Sequence, residues 1–181
     1  LFPVKEEGLR ITMLDVGQGE AICIMTPEEE TIFIDGGSTS VGEVGTYRIL
    51  PFLKYHGISE ISCWIVTHAD EDHISGLKEL LNMPEEVKIE LLAVSKKMKE
   101  TEKVRELCHL AKTAGIRIVY LETGDKIESG MTLCCLHPEQ SYESEDINSN
   151  SLVFLLTYRE FSMLFTGDTD MQGEERILER W

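Results

Sequence analysis

The sequence predicts a mixed α/β (α+β) domain whose sheets are covered by helices on their outer faces. Three observations lead there. Residues 9–35 read as a meander of three short strands. Strand-like and helix-like runs then alternate along the chain. Between them an apolar run, 61–66, ends in Thr67-His68-Ala69-Asp70-Glu71-Asp72-His73 and passes into a helix-like run, 74–81.

The meander comprises 9–15 (LRITMLD), 20–26 (EAICIMT) and 31–35 (TIFID). Gly17 and Gly19 permit the first tight turn, Pro27 with Glu28, Glu29 and Glu30 makes the second, and Gly36-Gly37 stops the third strand. Residues 38–45 are small and read as a flexible loop. A helix is expected over 47–56, starting near Leu50 because Pro51 fits only a first turn, and stopping at Gly57. One strand is expected over 61–67, a helix over 73–82 and one strand over 87–94. An amphipathic helix follows over 99–114, closed by Gly115. Further strands are expected at 116–121, at 125–127 with 131–136, and in a hairpin of 151–158 with 161–166. Residues 142–150 read as a polar loop, and a last helix begins near Gly173.

Length suits one domain, 1–181, with a core of its own. No stretch approaches a membrane-spanning helix, and Leu1-Phe2-Pro3 shows no signal peptide. A start at Leu1 rather than Met suggests a piece of a larger protein. The net charge of −16 resides partly in Glu28–Glu30 and in 139–146, both expected to be solvated, and it argues against passive nucleic-acid binding. The five cysteines form neither a disulfide framework nor a CxxC pair, and Cys23, Cys63 and Cys134 read as small core residues.

The segment 67–73 carries the chemistry. Two imidazoles and two carboxylates at a strand–loop–helix junction can converge on a divalent cation. The bland alternative is a polar loop in which Asp72 caps the following helix, but capping does not call for two histidines. Elsewhere, His56, His109 and His137 read as structural or surface residues, and Lys96-Lys97-Met98-Lys99 as a solvated helix start.

His68-x-Asp70-x-Asp72-His73 resembles the HxHxDH signature of the metallo-β-lactamase fold. Leu14-Asp15-Val16-Gly17-Gln18-Gly19-Glu20-Ala21 resembles the LDVGQGDA opening of a domain found in the ComEC family of competence DNA-uptake proteins. Ile34-Asp35-Gly36-Gly37 matches the family's first acidic motif. Asn148 to Val153 and Phe165-Thr166-Gly167-Asp168 resemble its NxNSLV and LLTGD segments. The resemblance implies a four-layer αββα sandwich. Asp70 stands where the broad signature has histidine. The family's HHGS-type motif, beyond the Thr166-Gly167-Asp168 helix, has no counterpart before Trp181, so the C-terminal portion of the fold is expected to be missing and the 181 residues to be weakly active or inactive.

The resemblance implies that His68 and Asp70 serve one metal, Asp72 and His73 the other, and that Asp168 bridges them. Two ions roughly 3.5–4 Å apart would clamp both oxygens of a displacement, with Asp70 and Asp72 as the catalytic carboxylates. Imidazoles suit zinc and the additional carboxylate favours manganese, so both stay open. Asp35, Glu20, Asn148 and Asn150 are expected to support or line the pocket. The implied activity is a metal-dependent phosphodiesterase or nuclease acting on single-stranded DNA during competence uptake. It would work at the extracytoplasmic face, beside a membrane-embedded channel of the same protein. Two alternatives stand: a hydrolase of a small ester, thioester or lactone, and a non-catalytic metal- or DNA-binding domain.

Overall fold

The computed structural model describes residues 8–139, 141, 142, 144 and 146–181. The Leu1-Phe2-Pro3 reading, and Gln140, Glu143 and Glu145 of the acidic run, lie outside these residues.

In chain order the first half comprises β1 (Arg10–Met13), β2 (Ile22–Met25), β3 (Thr31–Ile34), α1 (Leu50–His56), β4 (Glu60–Ile61), β5 (Cys63–Val66), α2 (Glu71–Leu81), β6 (Lys88–Ile89), β7 (Leu91–Ser95), α3 (Glu102–Thr113) and β8 (Arg117–Leu121). The meander β1-β2-β3 is antiparallel, and β3, β5, β7 and β8 continue it in parallel to make a six-stranded mixed sheet. The second half comprises β9 (Lys126–Glu128), β10 (Thr132–His137), β11 (Val153–Tyr158), β12 (Phe161–Phe165) and α4 (Met171–Arg180). Its four strands form an antiparallel sheet in the order β12-β11-β10-β9.

Side chains alternate across a strand, and the six-stranded sheet uses both faces. Ile22, Ile24, Ile32, Ile34, Ile65 and Ala93 meet Leu133, Phe154, Leu156 and Phe165 of the second sheet. Cys23, Phe33, Trp64, Leu92 and Val94 face the opposite way, onto Leu53 of α1, Leu77 of α2 and Leu107 of α3. Phe33 stacks on Trp64 with ring centroids 4.6 Å apart. With α4 against β10, the layers run helix, sheet, sheet, helix, as expected. The C-terminal ends of the parallel strands β3, β5 and β7 open at one edge of the sheet. Open α/β sheets present ligand sites at such edges, and Asp35, Thr67 and Lys96 emerge there.

Several elements depart from expectation. The runs 61–67 and 87–94 are each broken, at Ser62 and Glu90, because their first residues pair with each other as a separate two-stranded sheet, β4 with β6. The Ser62 amide donates to Thr31 O and the Glu90 amide to Ile61 O as the chain steps between sheets. Gly45, expected at the end of a loop, instead opens a π turn, Gly45–Ile49, that leads into α1. It lies so close to α2 that a Cβ on Gly45 would stand 2.4 Å from Gly76 O. Helix α2 begins at Glu71, two residues earlier than expected, and α3 at Glu102, so Lys96–Lys99 lie in a turn around buried Met98. His137 is buried rather than a surface loop residue: its Nε2 donates to Ser149 O at 2.7 Å. Glu139 is likewise not merely solvated, since it pairs with Arg176 at 2.9 Å and with Arg180, fastening α4. Cys23 and Cys63 are in the core as expected, whereas Cys134 is half-buried; all five cysteines are free.

Candidate metal centre

The centre forms where β3 and β5 end and α2 begins. Asp35 follows β3 with φ +54, a left-handed conformation that aspartate tolerates better than most residues. Its carboxylate is fully buried and accepts three hydrogen bonds. Thr67 N donates to Oδ1 at 2.8 Å, Thr67 Oγ1 to Oδ2 at 2.5 Å, and His73 Nδ1 to Oδ2 at 2.8 Å.

This arrangement sets both imidazoles. An ionised carboxylate only accepts, so the proton on His73 Nδ1 points at Asp35 and Nε2 faces outward. Thr67 spends its hydroxyl proton on Asp35, so at 3.2 Å it accepts from His68 Nδ1. His68 Nε2 is then a bare lone pair, buried and without a partner. Burial and the neighbouring His73 hold His68 below the usual histidine range, against Asp35, Asp168 and Asp70. Burial opposes protonation of His73, but the Asp35 hydrogen bond and the charges of Asp35, Asp168 and Asp72 outweigh it and raise its pKa to about 9.

Asp168 arrives from the turn after β12. Its Oδ1 lies 3.2 Å from His73 Nε2 and its Oδ2 3.9 Å from His68 Nε2. The ligand atoms of His68, His73 and Asp168 all lie within 4.8 Å of one another, as do those of Glu20, Asp35 and His73. Glu20 Oε1 is buried without a partner, and burial, with Asp35 next, pushes the Glu20 pKa up to about 7.

Asp70 occupies the N-cap position of α2, yet its side chain makes no capping bond. Instead Oδ1 accepts from Lys103 Nζ of α3 at 2.5 Å, and Oδ2 lies 3.9 Å from His68 Nε2. Asp72, the residue the bland reading would make the cap, is half-buried one residue into the helix, and its charge acts on both His73 and Lys103. Close backbone packing fixes this first turn. The Glu20 amide donates to Asp72 O at 3.0 Å and the Gly36 amide to His73 O at 2.7 Å. A Cβ on Gly37 would stand 2.5 Å from Glu71 O and 2.6 Å from His73 N.

Asn148 and Asn150 lie on a short turn, Asn148–Asn150, ahead of β11, and Asn150 Oδ1 is buried without a partner. Asn150 Nδ2 donates to Ser144 O and Asp146 O at 2.9 and 2.6 Å, tying its own loop. The segment touches the centre through backbone, Leu152 N donating to Thr67 O at 3.0 Å. Thr67 and Lys103 were missed as site residues. Thr67 had a signal, its place between the strand and His68; Lys103 had none beyond helical spacing.

The donor set fits a divalent cation. Two imidazole Nε2 atoms and carboxylate oxygens converge, and a buried lone pair on His68 has no other partner. The carboxylate-to-histidine bond is the outer support that metal-ligating histidines ordinarily have.

Comparison with known proteins identifies the family. A family profile described as the metallo-beta-lactamase superfamily matches residues 15–108. The chain belongs to the metallo-β-lactamase superfamily. It is 26% identical to ComE operon protein 3 of Bacillus subtilis (strain 168) over 98% of its own length and 24% of that protein's. It is 31% identical to Recombination protein 2 of Haemophilus influenzae (strain ATCC 51907 / DSM 11121 / KW20 / Rd) over 92% of its own length and 19% of that protein's. The chain thus spans a quarter or less of these relatives. The metallo-beta-lactamase fold protein YhfI from Bacillus subtilis shares the fold, with TM-score 0.59 at 10% identity, over 87% of this chain and 62% of that one. Among the described residues no helix is long and apolar enough to cross a membrane.

Proposed function

We propose that this chain is a metal-dependent phosphodiesterase domain that cuts single-stranded DNA during competence uptake, one domain of a longer membrane protein and placed at its extracytoplasmic face. The observation that carries the reading is the pair of imidazoles oriented by one buried carboxylate, with His68 Nε2 left open beside Asp168 and Asp70. Similarity to ComE operon protein 3 and Recombination protein 2 supports the DNA context.

In this reading two divalent ions, zinc or manganese, are held by His68, Asp70, Asp72, His73 and Asp168. When bound they supply Lewis acidity and lower the pKa of water toward neutrality. The chain's own residues prepare the place. Asp35 holds His73 directly and His68 through Thr67. Asp168, on a turn set against Thr67, contributes a carboxylate from the second sheet. Asp70 and Asp72, on the first turn of α2, orient the attacking water. Glu20 places a further buried carboxylate beside Asp35 and His73.

The test is incubation of the manganese- or zinc-loaded chain with labelled single-stranded DNA. Slow shortening of the DNA is expected, abolished by chelator and by His68→Ala or Asp168→Ala. A loaded chain that leaves DNA intact while hydrolysing a small ester or lactone would overturn the reading.

A further inference from the structure

The centre presents a charge problem. Glu20, Asp35, Asp70, Asp72 and Asp168 crowd one edge of a chain whose net charge is −16. A phosphodiester carries its own negative charge, and bound ions engage it only at the scissile group. A strand running across this mouth needs a cationic surface for its flanking phosphates.

The segment 96–103 supplies one. It leaves the C-terminal end of β7 at the same edge as Asp35 and Thr67. Buried Met98 anchors the turn, and the Thr101 amide donates to Met98 O at 2.9 Å. Lys96, Lys97 and Lys99 line one recess of about 190 Å³ with Glu122 and Pro138. In the first turn of α3, Lys103 reaches Asp70 while 49% of its side chain stays exposed. Its ammonium therefore stands at the ligand cluster and in solvent together. Lysine suits this as a mobile point charge on a flexible stem. Lys99 reaches Glu100 only at 3.8 Å, Lys96 meets a partly exposed Glu122 at 2.8 Å, and Lys103 holds Asp70 from a half-exposed side chain. Exposed pairs of this kind contribute little and exchange readily for another anion.

We propose that 96–103 is the track that receives the sugar-phosphate backbone of the single strand, with Lys103 at its catalytic end as the specificity-determining cation for anionic substrates. Lys103 exchanges Asp70 for a substrate phosphate oxygen when the strand arrives. The inference rests on the phosphodiesterase reading and adds to it which residues grip the substrate.

The test reads binding rather than turnover. Anisotropy of a labelled oligothymidylate is measured in calcium over a salt series, for the unaltered chain and for Lys103→Met, Lys99→Met, Lys103→Arg and Lys126→Met, the last on β9 of the other sheet. Each lost phosphate contact lowers the slope of log affinity against log salt by about 0.7 for single strands. Lys103→Met and Lys99→Met are expected to show that loss. Lys103→Arg, which keeps the charge, and Lys126→Met are expected to keep the slope. Salt-dependent binding whose slope is unmoved by Lys103→Met and Lys99→Met overturns the inference and leaves the phosphodiesterase reading standing. Failure of the unaltered chain to bind the oligothymidylate overturns that reading, and the inference with it. An equal fall for Lys126→Met assigns the effect to overall charge and also overturns the inference.

Discussion

Replacing Asp35 with asparagine separates the chemistry of the centre from its architecture. Asparagine tolerates the φ of +54 at this position. Its Oδ1 can still accept from Thr67 N, now at 2.8 Å. Its Nδ2 replaces the oxygen that Thr67 Oγ1 and His73 Nδ1 address at 2.5 and 2.8 Å. Nδ2 only donates, so both contacts reverse. His73 must accept at Nδ1 and carry its proton on Nε2. Thr67 Oγ1 must accept from Asn, and its freed proton turns to His68 Nδ1, 3.2 Å away, moving that proton to Nε2 as well. The bonds survive in number, while the tautomer that can present Nε2 to a metal is lost at both histidines. Restoring either tautomer breaks a hydrogen bond in the interior, about 1–3 kcal/mol each. That corresponds to roughly a 5–150-fold weaker ion, in line with the ~10–100-fold loss ordinarily seen when outer support of a ligand is removed. Competition against a chromophoric chelator should show this loss at both ions, with far-UV circular dichroism unchanged. Affinities within twofold of the unaltered chain would refute the relay from Asp35 through Thr67.

Thr67→Val cuts the relay to His68 only, so one ion should weaken about 10-fold or more while the other is held, read in the same titration. Gly37→Ala places a methyl 2.5–2.6 Å from backbone atoms of Glu71, Asp72 and His73. It should cost about 1–3 kcal/mol in urea denaturation and loosen metal binding together with it. Burial pushes the Cys23, Cys63 and Cys135 thiols up to about 12, well above the ordinary thiol range. They should resist alkylation in the folded chain near pH 8 and react once it is unfolded, as mass spectrometry would show. Because their pKa is raised on folding, the stability they contribute is complete below about pH 9 and lost as pH rises toward 12. The urea midpoint should therefore fall on the alkaline side, and a flat profile there would contradict their burial.

What could be read from the sequence was local or carried by the resemblance. Residues 67–73 declare themselves because strand, loop and helix are contiguous, so their side chains need no distant partner to converge. Asp168 was legible only through resemblance, since a Thr-Gly-Asp turn carries no signal of its own. Thr67 was invisible as a relay because its meaning depends on Asp35, 32 residues earlier. Lys103 reads as one more solvated charge on an amphipathic helix until α3 is laid beside Asp70. Asn150 was legible only through its motif: its Nδ2 ties its own loop to Ser144 O and Asp146 O, while its Oδ1 stays buried without a partner. The breaks at Ser62 and Glu90 escaped because apolar residues continue on both sides; only the pairing of β4 with β6 reveals them.

The central claim is that one buried carboxylate orients two histidines to hold metal. Metal analysis of the chain reconstituted with manganese or zinc and then desalted tests it most directly, beside His68→Ala and His73→Ala. Two ions per unaltered chain, with an ion lost in each variant, is the result this account predicts. An unaltered chain that retains no ion, or histidine variants that retain as many as the unaltered chain, would contradict it.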